Sequence, residues 1–242
     1  MKDILVIGES CRDIFVYCDT NRLAPDIPVP VLNIINQTEN GGMAKNVQRN
    51  ILNKINDCDI ITNSDWINVT KTRYVHEKTN HTFFRVDTSH DIKKINLEEI
   101  NYNYKIIVIS DYNKGFLSES DIETICNNHN LVFIDTKKIL GDWALKSKFI
   151  KINDFEYQRT KNHISNKLKD KIIHTIGGEG CEYQGKQFKA KKVDVKDTSG
   201  AGDSFMAALV VNYLRSNNIE KAIKYANECA SEVVKHRGVS II

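Results

Sequence analysis

The run Asp197-Thr198-Ser199-Gly200-Ala201-Gly202-Asp203-Ser204-Phe205 concentrates residues able to do chemistry, and it leads into the helix-like stretch Met206 to Leu214. A glycine-rich turn that opens a helix lets several backbone N–H groups converge on an anion, and the helix dipole adds roughly 0.3–1 kcal/mol in its favour. A phosphate group suits such a place. Asp203 then lies on the first turn beside the anion, where a carboxylate can take a proton from an attacking hydroxyl. A tight turn with a helix-capping aspartate is the plainer alternative, and the two aspartates spaced around Gly-Ala-Gly weigh against it.

Other segments add polar groups at the ends of apolar runs. Asn153-Asp154-Phe155-Glu156 follows the run Phe149 to Ile152, and Thr175-Ile176-Gly177-Gly178-Glu179-Gly180 ends the run Ile172 to Ile176. Taken alone, the first reads as a surface helix start and the second as a hairpin turn that wants glycines. Asp13 follows the first apolar run, and a carboxylate there can accept two hydroxyl donors at once, which suits a polyol; a solvated loop acid is the alternative. No G-x-x-x-x-G-K-S/T is present, so a P-loop nucleotide site is not expected. His76 and His81 flank Glu77 five residues apart rather than four, in a segment that reads as a hairpin, so the zinc spacing H-E-x-x-H is not met.

The elements that must hold these residues follow from hydrophobic periodicity. Ile4 to Ile7 before Gly8, Ile106 to Ile109, Val132 to Ile134, Phe149 to Ile152 and Ile172 to Ile176 are short apolar runs with helix-like segments between several of them. That pattern predicts an α/β fold with a doubly wound, mainly parallel sheet flanked by helices. Ile219, Ala222, Ile223, Ala226, Ala230, Val233 and Val234 carry the spacing of one buried helical stripe. Residues 14–35 and 69–87 instead alternate β-favouring and polar residues, which predicts antiparallel strands in a small sheet standing off the core. Pro25, Pro28 and Pro30 fall in the first of these, as in an exposed or edge ribbon.

Composition excludes several classes. With 41% hydrophobic and 27% charged residues the chain is too apolar to be disordered, and a net charge of +3 spread along the sequence implies no nucleic-acid or membrane partner. The six cysteines are dispersed without a C-x-x-C pair, as in reduced, mostly buried thiols. No signal-peptide core or 18-residue apolar run occurs, so a cytoplasmic protein is expected.

The Asp197-Thr198-Ser199-Gly200-Ala201-Gly202-Asp203 run resembles the DTxGAGD signature of the PfkB/ribokinase family of carbohydrate kinases. The resemblance implies a single ribokinase-like domain over residues 1–242, with the two lid segments inserted in it, that uses ATP and magnesium. It also implies Asp203 as catalytic base, Gly200, Ala201 and Gly202 as anion hole, and Asp197 near a monovalent cation such as potassium. Asn153 would lie near the phosphates and Glu156 would help to hold hydrated magnesium. Thr175, Gly177 and Gly180 match the turn that lines the nucleotide site, and Asn227 a late helix position near adenine. On the sugar side the family pattern is matched by Asp13 and by Gly41-Gly42 with Asn46.

Within the family the chain is most similar to kinases that phosphorylate D-glycero-D-manno-heptose 7-phosphate at its anomeric oxygen, a step toward lipopolysaccharide heptose. The similar stretches are Arg22 to Val31, Lys71-Thr72-Arg73 and Ser110-Asp111-Tyr112-Asn113-Lys114-Gly115. Arg73, Arg85 and Lys114 are candidates for gripping the substrate's own phosphate. The sequence departs from that pattern by lacking roughly one βαβ unit between Ile51 and Val69. Lys45, Gln48 and Met43 also replace smaller residues around Asn46. A kinase for ribose, fructose or a nucleoside, and a non-catalytic sugar- or nucleotide-binding regulator, are the alternatives; a binder has no need of Asp203. Lid strands of the family often form dimers, and Ile34, Ile35, Phe83 and Phe84 can supply such a contact.

Overall fold

The computed structural model describes residues 1–88 and 92–242. In chain order the strands are β1 Lys2–Gly8, β2 Arg12–Asp19, β3 Asn33–Asn40, β4 Cys58–Ile61, β5 Thr70–His76, β6 Thr82–Asp87, β7 Tyr104–Asp111, β8 Val132–Thr136, β9 Phe149–Asn153, β10 Ile172–Thr175, β11 Cys181–Tyr183 and β12 Lys186–Phe188. The helices are α1 Gly42–Leu52, α2 Glu119–Asn128, α3 Asp154–Thr160, α4 Asn166–Lys169, α5 Ala201–Ser216 and α6 Ile219–Val233.

The large sheet runs β12-β11-β10-β9-β8-β7-β1-β4. From β4 to β10 every pairing is parallel, and β11 and β12 close the far edge as antiparallel strands. Its strands are apolar on both faces because both faces are covered. Ile4, Val6, Ile106 and Val108 pack with α1, α5 and α6, whereas Leu5, Ile7, Ile107 and Ile109 pack with α2 and α4. Helix α5 is buried from Asp203 to Val211, which is why its sequence is small and apolar all round rather than striped. Helix α6 carries the stripe expected of it and lies on α5.

The smaller sheet is ordered β3-β2-β5-β6. Its outer pairs are antiparallel, but the central pair β2 and β5 is parallel, which corrects the expectation of antiparallel strands throughout. The reason is topological: β2 follows β1 and β5 follows β4, and β1 and β4 are themselves parallel neighbours. The lid also reaches further than residues 14–35, since β3 continues to Asn40. Pro25, Pro28 and Pro30 lie in the exposed loop between β2 and β3 rather than in a ribbon strand; Pro30 makes an isolated bridge with Leu23.

On the β4 side the large sheet stops, and residues 62–69 lead directly into β5. This is the stretch in which the sequence departs from the pattern it otherwise resembles. All six cysteines are free thiols, five of them buried. Among the described residues no helix is long and apolar enough to cross a membrane, and no cluster of three metal-ligating side chains occurs; His76 and His81 flank the β5–β6 turn.

Candidate active site

Strands β1, β7, β8, β9 and β10 finish along one edge of the sheet, where open α/β folds place their ligands. The N-terminus of α5 faces that edge across a cavity of about 780 Å³. Gly200 takes the left-handed conformation (φ +78°) that turns the chain into the helix, and a Cβ there would stand 2.8 Å from Val239. The Ala201 N–H donates back to the Thr198 carbonyl, closing the turn. The N–H groups of Gly200, Gly202 and Asp203 have no acceptor among the described residues, so they are the donors open to an anion.

Asp203 is buried on this first turn. Its Oδ2 accepts a hydrogen bond from Asn46 Nδ2 at 2.8 Å, and its Oδ1 accepts one from the Tyr112 hydroxyl at 2.7 Å. Burial pushes its pKa above the usual carboxylate value, and the two hydrogen bonds partly offset that. A base in this condition holds a transferred proton better than an exposed aspartate. Tyr112 is pushed well above its ordinary value, chiefly by burial and then by Asp203, so it stays a donor. In Tyr112→Phe the carboxylate loses one of its stabilising bonds, its pKa rises further, and the acidic limb of the kcat/KM profile is expected to move to higher pH. An unmoved limb in that profile would remove Tyr112 from this role.

Around the ends of β7, β8 and β9 stand three acid–lysine pairs. Lys151 donates to Asp135 Oδ2 at 2.7 Å, Lys138 to Asp111 Oδ1 at 3.1 Å, and Lys137 to Glu156 Oε1. Asn153 and Glu156 form a capping box at the start of α3: the Glu156 N–H donates to Asn153 Oδ1 and the Asn153 N–H to Glu156 Oε2. Asp135 lines the cavity, and its Oδ1 is buried without a hydrogen-bond partner. The spare Asp135 oxygen suits a hydrated magnesium ion, which takes few protein oxygens and keeps several waters, whereas both Glu156 oxygens already accept hydrogen bonds.

Thr175, Gly177 and Gly180 line the other end of the cavity, together with Asn227. Asn227 is buried and donates from Nδ2 to the Phe188 carbonyl at 2.9 Å, so it braces β12 against α6 while bordering the site. The hairpin reading of this region also holds, since β10 and β11 pair antiparallel across the glycine turn.

On the lid side, Asp13 is paired with Arg73, and burial raises its pKa with the Arg73 charge opposing. Gly41 and Gly42 start α1 and carry Asn46 to Asp203, so Asn46 holds the Asp203 carboxylate rather than standing apart from it. A second cleft of about 450 Å³, lined by Phe15, Arg73, Asn80, Arg85 and Lys196 among others, joins the first through Val195 and Thr198, which line both. Lys114 is exposed and lines neither cleft; its N–H donates to Glu9. Asp197 accepts N–H bonds from Ser199, Gly238 and the Asn80 side chain.

Sequence reasoning missed Tyr112 as a partner of Asp203, Lys151 with Asp135, Lys137 with Glu156, and Glu9. The buried Glu9 carboxylate accepts the N–H groups of Tyr112 and Lys114 at 2.7 and 2.9 Å and thereby sets the turn that aims Tyr112. A polar residue at the end of an apolar run was the available signal: Glu9 after β1, Asp135 in β8, Lys151 in β9.

Residues 148–242 match the sequence profile of the pfkB family carbohydrate kinases. The bifunctional protein HldE of Helicobacter pylori strain G27 is 26% identical over 300 aligned residues, covering 100% of this chain and 64% of that protein. HldE of Aliarcobacter butzleri is 25% identical over 98% of the chain. The chain thus spans slightly less than two thirds of these relatives, and its 242 residues are stretched over 300 aligned positions, as a shortened kinase domain requires. Among solved structures, Thermotoga maritima ribokinase superposes with a TM-score of 0.73 at 17% identity, covering 99% of this chain and 95% of that one. Escherichia coli phosphofructokinase-2 in complex with potassium gives 0.69 at 14% identity, over 98% and 94%. Fold, signature turn and whole-chain similarity point the same way: the chain is similar to the PfkB carbohydrate kinases, whose family profile its C-terminal residues 148–242 match.

Proposed function

We propose that the chain is a cytoplasmic, ATP-dependent kinase that moves the γ-phosphate to the anomeric hydroxyl of D-glycero-D-manno-heptose 7-phosphate, with Asp203 as base. The observation that carries this reading is the buried Asp203 carboxylate, fixed by Asn46 and Tyr112 beside the open N–H groups that start α5. The acceptor oxygen attacks the γ-phosphorus in line, its proton passes to Asp203, and the bond to the β,γ-bridging oxygen breaks toward ADP. Preorganised donors at the helix start meet the charge that develops on the phosphoryl oxygens. Asp135 and Glu156 would hold magnesium, which when bound would supply charge neutralisation at the transferring phosphate. Thr175, Gly177, Gly180 and Asn227 border the nucleotide, and Asn153 positions Glu156.

The whole-chain similarity to HldE and the cationic lid cleft both support an acceptor that already carries phosphate. Arg73 lies opposite Arg85 across β5 and β6, and Asp13 lies opposite Lys71 across β2 and β5. A hydroxyl-binding carboxylate therefore sits beside anion-binding side chains. On the outside of the lid, Ile34, Ile35, Phe84 and Val86 are exposed and supply the apolar surface for a homodimer, whereas Phe83 turns inward onto the lid's own cluster.

The test follows ADP release with magnesium ATP and the heptose 7-phosphate, the same heptose without phosphate, ribose and fructose. The phosphorylated heptose is expected to be preferred, and Arg85→Ala to raise its KM roughly 10- to 100-fold with kcat little changed. Equal use of the unphosphorylated sugars would overturn the acceptor assignment.

A further inference from the structure

Resting on that kinase reading, we propose that the Lys151 ammonium is a further catalytic residue, the fixed cation that meets the transferring phosphoryl group and makes the reaction independent of a monovalent metal ion. Lys151 lies on the face of β9 that it shares with Phe149, which packs in the core beneath α5. Its side chain is only 3% exposed. A lysine is rarely buried at such a position unless it is paired, and Asp135 accepts its hydrogen bond at 2.7 Å. The ammonium reaches the first turn of α5: it stands 3.0 Å from where a Cβ on Gly202 would be, so glycine is what leaves it room there. It thus shares one cavity with the open N–H groups of Gly202 and Asp203.

The residue expected beside a monovalent cation does not fit one. Asp197 Oδ1 accepts the Ser199 N–H at 2.8 Å, and its Oδ2 accepts the Gly238 N–H at 3.0 Å and Asn80 Nδ2 at 3.3 Å. The same Asn80 amide donates to the Lys196 carbonyl at 3.0 Å. Both partners of that amide are acceptors, so the NH₂ and not the carbonyl oxygen faces Asp197. Three N–H dipoles then present positive ends where a cation would need oxygen lone pairs. The charge that such an ion would lend is supplied instead from β9, at the reacting phosphate itself. During transfer the acceptor proton goes to Asp203 and the leaving electron pair to ADP, while Lys151 keeps its proton and stabilises the equatorial phosphoryl oxygens.

The test compares binding of magnesium β,γ-imido-ATP and magnesium ADP by titration calorimetry, in tetramethylammonium chloride and in potassium chloride at equal ionic strength. The unaltered chain is expected to bind each nucleotide within about twofold in the two salts. The double variant Lys151→Met/Asp135→Asn, compared with Asp135→Asn alone so that any magnesium lost with the acid is common to both, is expected to lose roughly tenfold more of the preference for the γ-phosphate-bearing nucleotide over ADP than the single variant does. Potassium tightening the unaltered chain's binding roughly tenfold would overturn the cation independence, and an equal preference in the double and single variants would overturn the role of Lys151; either leaves the kinase reading standing. Failure of the unaltered chain to bind either nucleotide would sink the kinase reading and this inference with it. Should the double variant fail to fold, Lys151→Gln, whose amide can still donate to Asp135, is read in the same titration, and an unchanged preference there overturns the role of Lys151.

Discussion

Asp203→Asn is expected to lower kcat by roughly 10³-fold while leaving ATP affinity within about threefold. The amide keeps the size of the carboxylate and can still meet Asn46 or Tyr112, but it cannot receive the acceptor's proton. The loss therefore falls on the transition state and spares the ground state. ADP release in the steady state measures the first quantity and calorimetric titration with ATP the second. The pH profile of the unaltered enzyme gives an independent check. Activity requires the ionised carboxylate, so it falls as pH drops through the pKa of Asp203; because burial raises that pKa, the acidic limb should lie above the range of an exposed aspartate. Retained turnover in the variant would remove Asp203 from its role as base.

Gly180→Ala is expected to damage both stability and nucleotide binding. Gly180 holds φ +96°, and a Cβ there would stand 2.0 Å from the Phe188 carbonyl oxygen, the atom that Asn227 also bonds. The hairpin must therefore shift, which unsettles the contact between β12 and α6 at the edge of the nucleotide cavity. A cost on the order of 3 kcal/mol corresponds to a fall in Tm of roughly 6–12 °C for a chain of this size. Gly178→Ala is the control: it lies in the same turn, outside the left-handed region, with nothing within 4 Å of an added Cβ. Its Tm should change by about 1–2 °C at most. Equal losses in the two variants would show that the steric contact at Gly180 is not the cause.

Much of the large sheet was legible because its strands are short apolar runs, and periodicity is a local property. Ile4 to Ile7, Ile106 to Ile109 and Val132 to Ile134 needed no partner to be recognised, and the structure seats them in β1, β7 and β8. The lid was less legible. Its strands are half-exposed, so alternation announces a strand without naming its neighbour, and nothing local in Arg12–Asp19 or Thr70–His76 says that they run parallel. That direction is inherited from β1 and β4, which no inspection of the lid segments alone can reveal.

The same division runs through the site. The glycine-rich turn and the aspartate on the following helix are contiguous, so the sequence alone determined where open N–H groups stand and which carboxylate lies beside them, because a helix start exposes its N–H groups whatever packs around it. Only the tertiary structure decided what conditions that carboxylate. Tyr112 reaches Asp203 across 91 residues and Asn46 across 157, and each arrives because its strand or helix ends at the same sheet edge. The pairing of Lys151 with Asp135 is of the same kind: two residues on neighbouring parallel strands, placed on one face by register. Short-range geometry writes a motif into the chain, whereas the burial, charge and hydrogen bonds that condition its aspartate come from segments brought together only by folding.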